Sequence, residues 1–306
     1  MNFLEFYQNI PQQINPVAFS IGFFEVRWYS LLYILGIAVT YWVLLVLIIS
    51  RKNKILKFPI SNFQFSNNFQ LSNDKFQNLF LYILMGILLG SRFGYVIFYN
   101  LPYYAQNPLE IFLPFSFNNC SLFIADCFVG FYGMSYFGAL IGAILVGYFF
   151  SRKYKIDFWS LADFFSVAIP AGYFFGRIGN FLNGELYGRP TDSIFGMYFP
   201  TGGNVLRHPS QLYEAFFEGL ILFLIIIFMR NILRNQSCKY YFPGILFLAY
   251  IFFYAFFRFL LEFFRAPDTQ IGLFFNWITL GQILSAGIML IALLVFTWRK
   301  KGNVLE

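Results

Sequence analysis

Residues Gly172–Asp192 read G-Y-F-F-G-R-I-G-N-F-L-N-G-E-L-Y-G-R-P-T-D. The stretch opens as an apolar helix with a G-x-x-x-G spacing at Gly172 and Gly176, a pattern that lets helix backbones approach closely. It then sets Arg177, Asn180, Asn183 and Glu185 within nine residues at the end of that run. Charged and amide groups are costly in hydrocarbon and usually serve a task there. The competing reading is a packing face whose polar groups satisfy one another. The choice depends on what the rest of the chain brings to Arg177.

The 306 residues are 59% apolar and only 11% charged, where soluble domains carry roughly 25% charged residues. This composition predicts one all-α polytopic membrane domain over 1–306, in place of the two soluble domains that length alone allows. The 46 Phe, with many Asn, Ile and Tyr, reflect compositional bias, so no single Phe carries weight. The net charge of +7 fits cytoplasmic loops that meet anionic membrane lipids, not nucleic acid. Cys120, Cys127 and Cys238 match no metal spacing; Cys120 and Cys127 are read as free thiols, with pairing open only in an oxidising compartment. No Lys or Arg precedes Arg27, so no cleavable signal peptide is expected.

A membrane span needs about 20 mostly apolar residues. Seven candidates occur, at 24–49, 79–99, 129–150, 160–182, 213–229, 244–264 and 276–298. The fourth is the weakest, since it holds Asp163, Pro170 and Arg177, and Pro170 is expected to kink it. Basic residues then fix the orientation. With the N-terminus outside, the inner segments hold Arg51, Lys52, Lys54, Lys57 and Lys75; Arg152, Lys153 and Lys155; Arg230, Arg234 and Lys239; and Arg299, Lys300 and Lys301. That is fourteen of the 21 Lys and Arg. The outer loops hold Arg189, Arg207 and Arg265. An outside N-terminus and a cytoplasmic C-terminus follow. Residues 50–78 become a cytoplasmic loop, Asn/Gln/Phe/Ser-rich from 58, and 100–128 and 183–212 become outer-face loops.

Several ionisable groups fall inside these spans. Arg92 lies midway along the second. Arg258 and Glu262 of the sixth are four apart, hence on one helix face and able to pair, and Arg265 continues their stripe. Arg177 and Arg258 both lie toward the outer half of the membrane on this topology. Arginine stays charged when buried and recognises phosphate bidentately. The phosphate available at that depth is a phospholipid headgroup, so the pattern points to a lipid-handling site; a pump or channel also lines its route with charge. The segment R-H-P-S-Q-L-Y-E, Arg207–Glu214, leads into the fifth span and contains His208, the single histidine. A lone histidine is commonly structural, but imidazole is also the group best poised to move a proton near neutral pH. There is no Asp-rich metal motif, no G-x-S-x-G and no phosphate-binding Gly loop, so neither metal-dependent phosphotransfer nor serine hydrolysis is expected.

The motifs together resemble one family along nearly the whole chain, the bacterial prolipoprotein diacylglyceryl transferases. The resemblance rests first on Gly176-Arg177-x-Gly179-Asn180-Phe181-x-Asn183-Gly184-Glu185-x-x-Gly188. Supporting matches are Trp28-Tyr29; Gly94-Tyr95-Val96-x-Phe98-Tyr99-Asn100 after Arg92; His208-Pro209-Ser210-Gln211-Leu212-Tyr213-Glu214; and Phe257-Arg258 with Glu262-Phe263-Phe264-Arg265-x-Pro267-Asp268. It implies a multi-pass enzyme of the bacterial inner membrane with seven spans, needing no cofactor or metal. Its partners would be phosphatidylglycerol and the signal peptide of a prolipoprotein. The diacylglyceryl group would move to the thiol of the lipobox cysteine, a thioether would form and glycerol phosphate would leave.

On that reading Arg177 and Arg258 hold the phosphate, and Glu262 holds Arg258. Asn180 and Asn183 orient Arg177 or meet the headgroup. Tyr29 and His208 complete the catalytic set, and Glu185, Gly188, Glu214 and Arg92 line the substrate. One position departs from the family. After G-M-S-x the family carries H-G-G-L, whereas here Phe137-Gly138-Ala139-Leu140 follow Tyr136. Phenylalanine takes no proton. Tyr136, Tyr29, His208 or Glu214 would have to substitute, or the protein is an impaired relative that binds lipid or lipoprotein.

Overall fold

The computed structural model describes residues 2–22, 24–52, 72–99, 101–108, 111, 135–233, 242–266 and 278–304. Cys120, Cys127, Cys238, Asn100, most of the 50–78 and 100–128 loops, and the side chains of Tyr136 and Phe137 lie outside the described residues. The chain is mostly helical, and its contacts group it into two units, Met1–Asn67 with Ala162–Glu306, and Asn68–Leu161.

In Asn68–Leu161, helix α3 (Asn73–Tyr99) packs on α5 (Tyr136–Tyr154), with the short α4 (Leu101–Gln106) between them in sequence. Glycines form the seam. A Cβ on Gly86 would lie 2.9 Å from the Gly142 carbonyl oxygen, and one on Gly90 would lie 2.9 Å from the Gly142 Cα. Any side chain there forces the helices apart, so small residues set the approach, as they do in lipid. The Ser135 side chain caps α5 by accepting from Gly138 N at 3.3 Å, and Ser135 N donates to Ser91 O at 2.9 Å. Arg92 donates from Nε to Ile111 O at 3.1 Å and lies 5.2 Å from the Tyr104 ring centre.

The other unit begins with α1 (Phe3–Gln13), a hairpin of β1 (Val17–Ile21) and β2 (Phe24–Arg27), and α2 (Trp28–Lys52). The all-α expectation is therefore corrected by one two-stranded antiparallel hairpin. The first span starts at Trp28, since 24–27 is strand. An Asn-x-x-Glu capping box starts α1: Asn2 Oδ1 accepts from Leu4 N at 2.7 Å, and Glu5 Oε2 accepts from Asn2 N at 2.9 Å. This satisfies amides that the first turn otherwise leaves open.

The fourth span is two helices, α6 (Phe158–Ser166) and α7 (Ile169–Leu182), bent by 44°. The break falls at Val167 and Ala168. Pro170 sits in the first turn of α7, not as a kink inside a helix, because its missing N–H has no intrahelical partner to lose there. Asp163, fully buried on α6, accepts from Gly244 N and Phe247 N at 2.8 Å each. It thus caps α10 (Ile245–Leu261) from another helix.

The fifth span runs as α8 (Ser210–Glu214), a π-helical segment (Ala215–Ile221) and α9 (Leu222–Leu233). The last helix is α11 (Leu280–Val304). Among the described residues, four helices are long and apolar enough to cross a membrane, five if the bent pair is one span, and α10 is a shorter apolar helix.

Candidate active site

The site grows from the end of α7. Asn183 N donates to Gly179 O at 3.0 Å, and Gly184 then takes φ +69° and donates to Phe181 O at 3.0 Å. Glycine enters this left-handed conformation without a Cβ clash and so ends the helix. The reversal brings Glu185 back over α7. Asn180 Nδ2 donates to Glu185 Oε1 at 2.8 Å, and Glu185 N donates to Asn180 O at 3.2 Å. The signature spacing is therefore a clasp across a helix end. Asn183 Oδ1 is buried there with no hydrogen-bond partner among the described residues.

The following backbone ties three distant sequence stretches together. Gly188 N donates to His208 O at 2.8 Å, His208 N to Arg189 O at 3.0 Å, and Arg189 N to Phe264 O at 2.9 Å. Ser210 Oγ donates to Leu186 O at 3.0 Å, and buried Gln211 donates to Glu185 O. Gly188 has no room for a side chain, since a Cβ would lie 2.9 Å from the His208 Cβ. Phe181, Met197 and Phe199 form a small core here, covered by Tyr7, Ile10 and Ile14 of the N-terminal segment. The 183–212 segment is thus folded, not a plain loop. Its hydrogen bonds satisfy backbone groups that packing would otherwise strand.

Below this cap lie the charges. Glu214, 2% exposed, sits between two arginines: its Oε2 is 2.8 Å from Arg177 Nε, and its Oε1 is 3.3 Å from Arg258 Nη1. Arg258 Nη2 is also 3.3 Å from Glu262 Oε2, and Arg265 Nη1 is 3.8 Å from Glu214 Oε1. α7, α8 and α10, with the turn that follows α10, thus bring three arginines and two carboxylates to one place. The arginine side chains keep 16% to 20% exposure, so they are not sealed away. Glu262 is the C-cap of α10, with its carboxylate against Gly281: a Cβ there would lie 2.8 Å from Glu262 Cδ.

Tyr173, one turn before Arg177 on α7, accepts from Arg177 Nε at 2.7 Å and donates to Glu218, which is 1% exposed in the π-helical segment. The Tyr254 ring meets the Tyr173 ring edge-on at 6.0 Å. Sequence reasoning missed Tyr173, Glu218 and Tyr254, and noted Arg265 without assigning it to the site. A signal was present for Tyr173, which stands four residues before Arg177 on one face of α7. Tyr29 lies in the first turn of α2, where its ring meets Gly179: a Cβ there would lie 3.3 Å from Tyr29 Cδ2. It lies in electrostatic range of Glu185 and Arg177. His208 turns to Tyr213, whose hydroxyl is 3.3 Å from Nδ1, and to the Phe264 ring at 5.1 Å. Burial lowers its pKa below the usual imidazole value. Of the two G-x-x-x-G residues, Gly172 faces Gly36 of α2, whereas Gly176 has nothing within 4 Å of where a Cβ would be.

An arginine pair bridged by a buried carboxylate can hold a phosphate while the carboxylates fix each guanidinium. Comparisons with known proteins place the chain in a family. The family model for prolipoprotein diacylglyceryl transferase matches residues 16–298. A phosphatidylglycerol–prolipoprotein diacylglyceryl transferase of Chlorobaculum tepidum is 39% identical over 302 residues, which is 98% of this chain and 95% of that protein. A protein of the same name from Rickettsia typhi is 42% identical, over 91% of this chain and 94% of its own length. One from Desulfotalea psychrophila is 39% identical, over 96% of each. This chain therefore belongs to the prolipoprotein diacylglyceryl transferase family.

Proposed function

We propose that the chain transfers the diacylglyceryl group of phosphatidylglycerol to the lipobox cysteine thiol of prolipoproteins. Among the features of the site, the one that carries this reading is the convergence of Arg177 and Arg258, from separate helices, on the two oxygens of Glu214. The enzyme works as a multi-pass protein of the bacterial inner membrane. Seven spans, an outer N-terminus and a cytoplasmic C-terminus set the site toward the outer leaflet, and the positive-inside count supports that orientation.

The thiol of a free cysteine has a pKa near ~8.5, so the reactive thiolate is scarce at neutral pH. Nearby cations favour it. The thiol proton passes to a base other than residue 137, since phenylalanine accepts none. The sulfur lone pair attacks the glyceryl carbon that bears the phosphate. The carbon–sulfur bond forms as the carbon–oxygen bond breaks, and its electrons leave with glycerol phosphate. The phosphate gains a second negative charge in this step. Arg177 and Arg258 meet that charge, a role worth about 3–4 kcal/mol per well-placed donor. Glu262 holds Arg258, the Asn180–Glu185 clasp and Asn183 shape the headgroup side, and Tyr29 faces the headgroup or the thiol.

The test is the mass of a lipobox peptide incubated with the protein in vesicles containing phosphatidylglycerol. A gain of one diacylglyceryl group is expected, lost in Arg177→Ala and Arg258→Ala although both still insert. Normal transfer by either variant would remove the phosphate assignment, and no mass gain with the unaltered chain would remove the activity itself.

A further inference from the structure

We propose that Tyr173 and Glu218 are a positioning pair for this reaction, holding the Nε edge of Arg177 so that the rest of the guanidinium meets the departing phosphate. The inference rests on the transferase reading and on Arg177 as a phosphate group holder.

Two groups compete for the Nε–H of Arg177. Glu214 Oε2 is 2.8 Å away yet accepts no hydrogen bond among the described residues; the proton goes to the Tyr173 hydroxyl at 2.7 Å. A hydroxyl has one hydrogen and two lone pairs. With a lone pair taken by Arg177, its hydrogen goes to Glu218, and both directions are set. The guanidinium carbon also lies 4.9 Å from the Tyr173 ring centre. One tyrosine thus holds the arginine by edge and by face.

Glu218 is placed to accept from the Tyr173 hydroxyl. It is a carboxylate in the apolar run A-F-F-E-G-L-I, 1% exposed, with Oε1 lacking a hydrogen-bond partner among the described residues. Such burial is costly and is retained where a task requires it. The π-helical turn shifts Glu218 from its α-helical register, and such turns are frequent at functional sites. Gly219 lets this turn close on α7, since a Cβ there would lie 2.8 Å from the Phe174 Cβ. Phe174 is the residue after Tyr173. An apolar pair at 173 and 218 would fill the same space without burying a carboxylate, and replacing buried ionic groups by apolar ones is often neutral or stabilising. A purely structural role therefore has no need of this chain of polar contacts.

The experiment uses the full chain in phosphatidylglycerol vesicles, with turnover and KM for the lipobox peptide and the thermal midpoint measured together. Tyr173→Phe and Glu218→Leu are each expected to lower kcat about tenfold through misorientation, with KM for the peptide and the thermal midpoint unchanged. Because both act through one hydrogen-bond chain, the double variant should be no worse than the poorer single one. Glu218→Gln keeps an acceptor for the hydroxyl and should recover most of the activity. Wild-type kcat in Tyr173→Phe, additive losses in the double variant, or losses that follow the thermal midpoint would overturn the pair. If Glu218→Leu fails to insert, the near-isosteric Tyr173→Phe decides. Transfer by the unaltered chain with no effect of these variants removes this inference alone, whereas absent transfer by the unaltered chain removes the transferase reading and the pair with it.

Discussion

Glu214 Oε2 lies 2.8 Å from Arg177 Nε, so the arginine that the sequence offers to a phosphate already rests against a carboxylate. This contact sets how tightly a second anion can be held. The substrate phosphate is a monoanion and the product a dianion, so the negative charge of Glu214 opposes the product more than the substrate. Glu214→Gln should therefore strengthen inhibition by added glycerol phosphate, by about tenfold, and slow turnover because release becomes limiting. Inhibition constants for glycerol phosphate in vesicles measure this directly. Equal inhibition of variant and wild type would mean that Glu214 only orders the arginines.

Gly172 and Gly176 share a motif but not a role. A Cβ on Gly172 would lie 2.8 Å from the Gly36 carbonyl oxygen and against the Thr40 hydroxyl, whereas one on Gly176 meets open space. Gly172→Ala should force α2 and α7 apart and cost about 1–3 kcal/mol through overpacking. Gly176→Ala should leave thermal stability unchanged or raise it slightly, because alanine is the better helix former. Thermal midpoints of the two variants in one detergent are enough to compare them. Equal losses would contradict the packing described.

Much of this was readable in the sequence for identifiable reasons. Each of the seven apolar runs contains a helix among the described residues, as runs of that length and apolarity predict. Arg177, Arg258 and Glu262 stood out because charge is rare in such runs. What escaped notice depended on contacts between segments. Asp163 read as a flaw in the fourth span, and its purpose appears only when the amides of Gly244 and Phe247 are brought to it. Tyr173 and Tyr254 carry no formal charge and hid among 21 tyrosines. Glu218 was passed over inside an apolar run whose π-helical turn no periodicity announces. The break at Val167 and Ala168 was assigned to Pro170, because proline signals a bend without saying on which side of it the chain turns.

Asp163 offers a stability test away from the charged site. Its two oxygens each accept one backbone amide at the start of α10. Asp163→Ala leaves both amides without that acceptor at a fully buried position, a loss of about 2–4 kcal/mol. Asp163→Asn retains one acceptor oxygen and should recover part of it. Chemical unfolding in detergent, followed by far-UV circular dichroism, should rank the proteins wild type, Asn, Ala. Indistinguishable midpoints for wild type and Ala would show that α10 does not depend on this cap.

His208 gives the pH dependence. Its folded-state pKa is depressed by burial, so the unfolded chain holds its proton more readily. Stability linked to this residue therefore rises with pH: no penalty applies above the unfolded value of about 6.5, and the penalty grows as pH falls toward the lower folded value and then levels off. His208→Gln removes this contribution. The thermal midpoint of the wild type should fall more than that of the variant between pH 7.5 and pH 5.5, values on either side of about 6.5. The contacts of the ring with Tyr213 and Phe264 make it a support for the backbone bridge to Gly188 and Arg189. Transfer by His208→Gln at neutral pH should then stay within about fivefold of wild type, less than the loss of a general base. A collapse of transfer at unchanged stability would instead make the imidazole the acceptor of the thiol proton.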